Sequence, residues 1–144
     1  METLRHVVCG TDFSQPAEQA LELALELASL LTVVHVCELG SDELDDRRLK
    51  ECSEALEGLV ARVQRSRGGV TGVLRHGNPW EKLDNVAAEV GAGLIVVGRH
   101  GAGRGRRVEM GSVADQLVRF SSRPVLTVPH DLTRLDSEAF ERRS

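Results

Sequence analysis

The sequence predicts an α/β domain, a doubly wound parallel five-stranded sheet of order 3-2-1-4-5 with helices on both faces. Three observations lead there. Short runs of the kind that sheets bury alternate strictly with longer stretches whose apolar residues recur every three or four positions. One run, Leu94–Gly98, is apolar throughout, the mark of a strand covered on both faces. Right-handed crossovers leave few orders for such a βα repeat. In the doubly wound order the winding reverses between the first and fourth strands, so the crevice beyond their carboxyl ends receives ligands.

The first strand is His6–Gly10. Ser14 can cap the helix that follows, and Pro16 sits in its first turn, where no internal hydrogen bond is lost. That helix is predicted to reach about Ser29. Ala17, Ala20, Leu21, Ala24, Leu25 and Ala28 form its buried stripe, which Leu23, Leu27 and Leu30 widen. The second strand, 31–37, is rich in β-branched residues at Val33, Val34 and Val36. An acidic, turn-prone stretch over 38–46 leads into a helix carrying Leu49, Cys52, Leu56, Leu59, Val60 and Val63, which Gly68 and Gly69 are expected to stop.

The third strand is 70–75, and His76 and Gly77 turn the chain. Asn78 as cap, Pro79 at the first helical position and Glu81 reaching back compose a capping box, and the helix buries Leu83, Ala87 and Val90. Leu94–Gly98 comes next and is expected at the centre of the sheet. The fourth helix, 112–121, turns Val113, Leu117 and Phe120 inward. Arg123 and Pro124 end it, Val125–Val128 is the fifth strand, and Pro129 closes it. Residues 1–129 therefore read as one domain and 130–144 as a polar, mobile tail.

Composition narrows the function. At 144 residues, 41% of them hydrophobic, a core can form without disulfides or metals. Lys+Arg 18 against Asp+Glu 22 leaves a net charge of −4, which exerts no overall pull on nucleic acid or anionic lipid. No 18-residue apolar run and no signal-type stretch after Arg5 is present, so a cytoplasmic protein is expected, with no membrane partner. Cys9, Cys37 and Cys52 are odd in number and lack a CxxC, which argues against a disulfide framework or a thiolate zinc site; Cys9 and Cys37 read as small buried hydrophobes. The five histidines show no HExxH, and no GxSxG elbow offers a nucleophile, so no catalytic or metal-ligating residue is assigned.

The chemistry lies in the segment from Val97 to Val113, which runs strand, glycine-rich basic loop, helix start. Glycines let several backbone N–H groups converge, and a helix N-terminus adds free donors and the positive end of its dipole, a combination suited to phosphate. GxxxxGK[ST] and GxGxxG are both absent. What stands here is GxxG, nine residues, then G[ST]: Gly98 and Gly101, then Gly111 and Ser112. On its own the loop is equally readable as a solvated connection, and Asp12 as a turn or capping residue.

That spacing resembles the ATP-binding branch of the universal stress protein family. The likeness extends through Thr11-Asp12-Phe13-Ser14, Val34-His35-Val36, Gly77-Asn78-Pro79, the stretch from Leu94 to His100, and Ser122-Arg123-Pro124-Val125. It implies a Rossmann-like domain, usually a homodimer, holding ATP or AMP; general phosphoryl chemistry adds Mg²⁺ where the phosphates of ATP need bridging. Position by position, the resemblance implies that Gly98, Gly101 and Gly111 line the phosphates. Ser112 and the Val113 amide would bind phosphate oxygens, Asp12 would sit against the nucleoside, and the Val36 backbone would read adenine. Thr11, Val97 and His100 complete the lining, and Val125–Val128 would pair with its twin across a dimer axis. Arg104 stands where that branch usually has a further glycine; it either folds over a phosphate or fills the pocket.

Three functions follow. The first is a nucleotide-binding stress-response regulator. The second is a nucleotide-free protein-interaction module of the same fold, and the third is a slow ATPase, for which no base is assigned.

Overall fold

The computed structural model describes residues 4–38, 46–100 and 111–129. Over them the alternation is β1 (His6–Gly10), α1 (Gln15–Leu27), β2 (Leu30–Cys37), α2 (Asp46–Gln64), β3 (Val70–His76), α3 (Pro79–Val90), β4 (Leu94–Gly98), α4 (Ser112–Phe120) and β5 (Val125–Val128). All pairings are parallel and the order is β3-β2-β1-β4-β5, the doubly wound arrangement expected. The central strand is β1, which corrects the expectation that Leu94–Gly98 holds that place; β4 lies between β1 and the β5 edge. An apolar run reports burial on two faces, a property β1 and β4 share, and only the winding tells them apart.

Alternation along β1 builds both halves of the core. Val7 and Cys9 pack with α1 and α2, whereas Val8, facing the other way, packs with α3 and α4. The first half holds Leu21, Leu31, Val33 and Val96, and the second Val34, Val86, Ile95 and Leu117. Val86, on the buried face of α3 with Leu83 and Ala87, is a core residue the periodicity passed over.

Helix ends show where local reading succeeds and fails. Ser14 caps α1 as expected, its hydroxyl accepting the Ala17 N–H at 3.3 Å. The helix stops at Leu27, short of Ser29, because Ala28 is extended (φ −103°, ψ 139°). The Arg67 guanidinium serves the carbonyls left there, donating to Leu25 O at 2.6 Å, Ala28 O at 3.1 Å and Ser29 O at 2.8 Å. Gly68 and Gly69 do not stop α2, which ends earlier at Gln64. Gly69 instead makes a close turn: its φ is +76°, and a Cβ there would lie 2.7 Å from Ser29 O.

The capping box at α3 does not form. Asn78 holds the cap position with extended backbone and is exposed, but makes no side-chain capping bond. Phe120 also departs from expectation, being 61% exposed. The buried stripe of α4 is Ala114 and Leu117. Phe120 sits at its margin, its ring tilted against Trp80 with centroids 5.5 Å apart. Among the described residues no helix is long and apolar enough to cross a membrane.

Candidate functional site

The winding reverses between β1 and β4, and a cleft of about 430 Å³ opens there, within the range of small-molecule sites. From β1 come Gly10 and the two residues beyond it, Thr11 and Asp12. The Thr11 N–H continues the ladder to Val34 O at 2.8 Å, and its hydroxyl accepts the Phe13 N–H at 3.0 Å. Asp12 Oδ1 accepts the Ser14 N–H at 3.0 Å and also the Ser14 hydroxyl. Asp12 is thus both the turn residue of the plain reading and part of the cleft wall.

His35, beside Val34 and Val36 at the end of β2, points its Nδ1 at Thr11 O, 2.8 Å away. A carbonyl oxygen only accepts, so Nδ1 carries the hydrogen in this bond. Phe13 is held left-handed (φ 65°) with its ring 4.4 Å from that of His35. This stack and hydrogen bond pin the turn after β1 to β2.

The opposite wall comes from β4. Val97 and Gly98 line the cleft, and so does His100, which is buried. Gly98 is required for packing as well: a Cβ would stand 3.1 Å from the backbone carbon and oxygen of Pro16. The Arg99 N–H bonds to Val128 O at 2.8 Å, so the chain stays beside β5 as it leaves the sheet.

At α4 the expectations divide. Val113 lines the cleft, whereas Ser112 opens on an adjoining hollow that shares Val113, Pro79 and Glu38. Gly111 caps the helix, but its own N–H is given to Arg99 O at 2.8 Å, so Gly111 supplies a bend and no amide to the cleft. Gly111 has no side chain with which to cap α4, and the amides of the first turn have no partner inside the helix. The positive end of the α4 dipole therefore stands beside the cleft. Gly101 and Arg104 lie outside the described residues.

Other lining residues came from elements the motif does not mark. Ala17 of α1 and Leu83 of α3 add apolar wall, while Glu38 and Arg48 add charge. The sequence marks Pro79 as a helix start and Leu83 as an inward residue of that helix, and neither as cleft lining. Arg48 has no local signature; the packing of α2 against the sheet brings it there. Apolar walls with a few polar and charged groups suit a small organic ligand. Among the described residues, no three His, Cys, Asp or Glu side chains group to hold a metal ion.

Comparison with known proteins fits this geometry. The model of the universal stress protein family matches residues 3–129. Universal stress protein MJ0577 of Methanocaldococcus jannaschii is 24% identical over 152 residues, covering 86% of this chain and 94% of its own. Its structure superposes with a TM-score of 0.79, over 88% of this chain and 96% of that one, which establishes the fold. The universal stress protein from Archaeoglobus fulgidus in complex with dAMP shares 26% identity, with a TM-score of 0.67 over 87% and 97% of the two chains. A universal stress protein in complex with cAMP shares 25%, with a TM-score of 0.67 over 88% and 98%.

Proposed function

The chain belongs to the universal stress protein family, and on that premise we propose that it binds an adenine nucleotide, ATP or AMP, as a stress-response regulator acting in the cytoplasm. Residues 1–129 form the binding unit. One observation carries the reading: the cleft at the strand reversal has apolar walls and a helix N-terminus beside it whose cap residue is a glycine. The adenine ring lies along Val36 and Val97, Asp12 faces the nucleoside, and the phosphates meet Gly98, Ser112 and the Val113 amide. Triphosphate charge recruits Mg²⁺, and Gly101 and Arg104 act on the phosphates. Support comes from the dAMP and cAMP held by the two relatives. The regulator works as a homodimer through the edge strand β5.

The test is mass analysis of small molecules released on denaturing the purified protein, followed by calorimetric titration with ATP·Mg²⁺ and AMP. Saturable binding is expected, lost in Gly101→Val and weakened about 10- to 100-fold in Ser112→Ala, the loss of one charge-assisted hydrogen bond. Failure of the wild type to take up nucleotide overturns the reading, and uptake by Arg104→Gly alone would show that Arg104 fills the pocket. Sedimentation at twice the monomer mass is the expectation for the dimer.

A further inference from the structure

Two cysteines far apart in sequence meet beside the cleft. Cys37 ends β2 and Cys52 lies in the second turn of α2, with their Sγ atoms 2.9 Å apart and both thiols reduced. A disulfide needs an S–S distance of about 2.05 Å, so closure requires an approach of about 0.9 Å. Cys37 is followed directly by Glu38, and Cys52 stands one turn beyond Arg48; Glu38 and Arg48 both line the cleft. A bond between the two sulfurs would tie these two pieces of wall together.

We propose that Cys37 and Cys52 form an oxidative modification site, at which a hydroperoxide converts the two thiols into an intrachain disulfide that clamps the end of β2 to α2. Access decides the order of events. Cys37 is 1% exposed, whereas Cys52 is only partly covered, so the oxidant meets Cys52. The Cys52 thiolate attacks one peroxide oxygen, the O–O bond breaks, and Cys52 becomes a sulfenic acid as water leaves. The Cys37 sulfur then attacks Cys52 Sγ and displaces the hydroxyl as a second water. Two thiols and one hydrogen peroxide thus give one disulfide and two waters, with the peroxide taking both electrons.

The third cysteine is an internal control. Cys9 is wholly buried, its thiol leans on Gly10 O at 3.7 Å, and burial, with Glu18 adding to it, pushes it up to about 12. It should stay reduced when the pair closes. Burial and the hydrogen bond with Cys37 also push the Cys52 thiol up, which lowers its thiolate fraction at neutral pH and slows the reaction. Any effect of the clamp on nucleotide rests on the reading above. The disulfide is therefore scored without nucleotide, so a protein that oxidises yet binds none refutes only that reading.

The experiment treats the reduced, full-length protein with hydrogen peroxide, then denatures it, alkylates free thiols and maps peptides by mass. The expected product has lost two hydrogens, keeps one alkylatable thiol at Cys9, carries a Cys37–Cys52 crosslink and reverts with dithiothreitol. Cys52→Ser should leave Cys9 and Cys37 reduced, and Cys9→Ala should leave the crosslink intact, so a failure of either variant to fold still leaves the other to decide. Three alkylatable thiols after treatment, sulfinic acid at Cys52, or a crosslink between chains in place of the internal one overturns the proposal.

Discussion

His35 Nδ1 donates to Thr11 O across 2.8 Å, joining the end of β2 to the turn that leaves β1. With the Phe13 ring 4.4 Å from the imidazole, this one side chain holds a left-handed residue and two strand ends in place at the mouth of the cleft. His35→Ala should lower stability by about 1–3 kcal/mol, the range for leaving a half-buried polar partner unsatisfied. The loss would appear as a lower urea midpoint with unchanged slope. His35→Asn, whose amide nitrogen can reach Thr11 O from about the Nδ1 position, should recover part of it.

Two glycines should respond to alanine with opposite sign. At Gly98 the new methyl meets Pro16 backbone at 3.1 Å and His100 O at 3.2 Å, atoms that cannot swing aside as a side-chain tip can. Gly98→Ala is expected to cost about 1–3 kcal/mol through overpacking. Gly58 lies inside α2 with nothing within 4 Å of its would-be Cβ. Gly58→Ala should stabilise by about 0.5–1 kcal/mol, because alanine restricts the unfolded chain and glycine does not. Equal signs in thermal unfolding of the two variants would contradict this account.

Arg67 gathers three carbonyls at the end of α1, Leu25 O, Ala28 O and Ser29 O, with one planar fork. Arg67→Met keeps much of the stem and removes every donor, and the expected loss is about 1.5–3 kcal/mol. Arg67→Lys should not restore stability, since a single ammonium cannot span the same three acceptors in that geometry. Hydrogen exchange at the last amides of α1 would localise the effect.

Oxidation of Cys52 should accelerate with pH. Its thiol is pushed up to about 11 by burial, by its hydrogen bond with Cys37 and by Cys37 and Glu51 charge, with Arg48 opposing. Below that value the reactive thiolate grows about tenfold per pH unit, so the peroxide rate should rise about 100-fold from pH 7 to 9. The closed product spans a separation of 15 residues. In the chain-entropy account it should unfold with about 3 kcal/mol more resistance than the reduced form. An unchanged urea midpoint would mean that strain in the native crosslink cancels the gain.

Much of the fold and of the cleft is legible in the sequence. Strand runs, Ser14 as a cap and the order of the sheet follow from local periodicity and the handedness of crossovers. Thr11, Asp12, Val36, Val97, Gly98, His100 and Val113, which the family resemblance implies as lining, do line one cleft, and the winding of the sheet brings the strand ends among them together. Local reading misplaced the inward face of Phe120 and the purpose of Gly68 and Gly69, where the periodic pattern is real but the neighbouring element decides who is covered.

Sequence by itself determined which segments bury, on how many faces, and where a phosphate-sized anion would find glycines and a helix start. Tertiary structure alone decided that the Gly111 amide turns to Arg99, that Arg48 reaches the cleft, that Arg67 closes a helix 42 residues from Leu25, and that Cys37 finds Cys52. The physical reason is range. Propensity and periodicity act over one or two turns of chain, whereas these contacts join atoms whose separation in sequence carries no local pattern and whose proximity arises when the helices dock on the sheet.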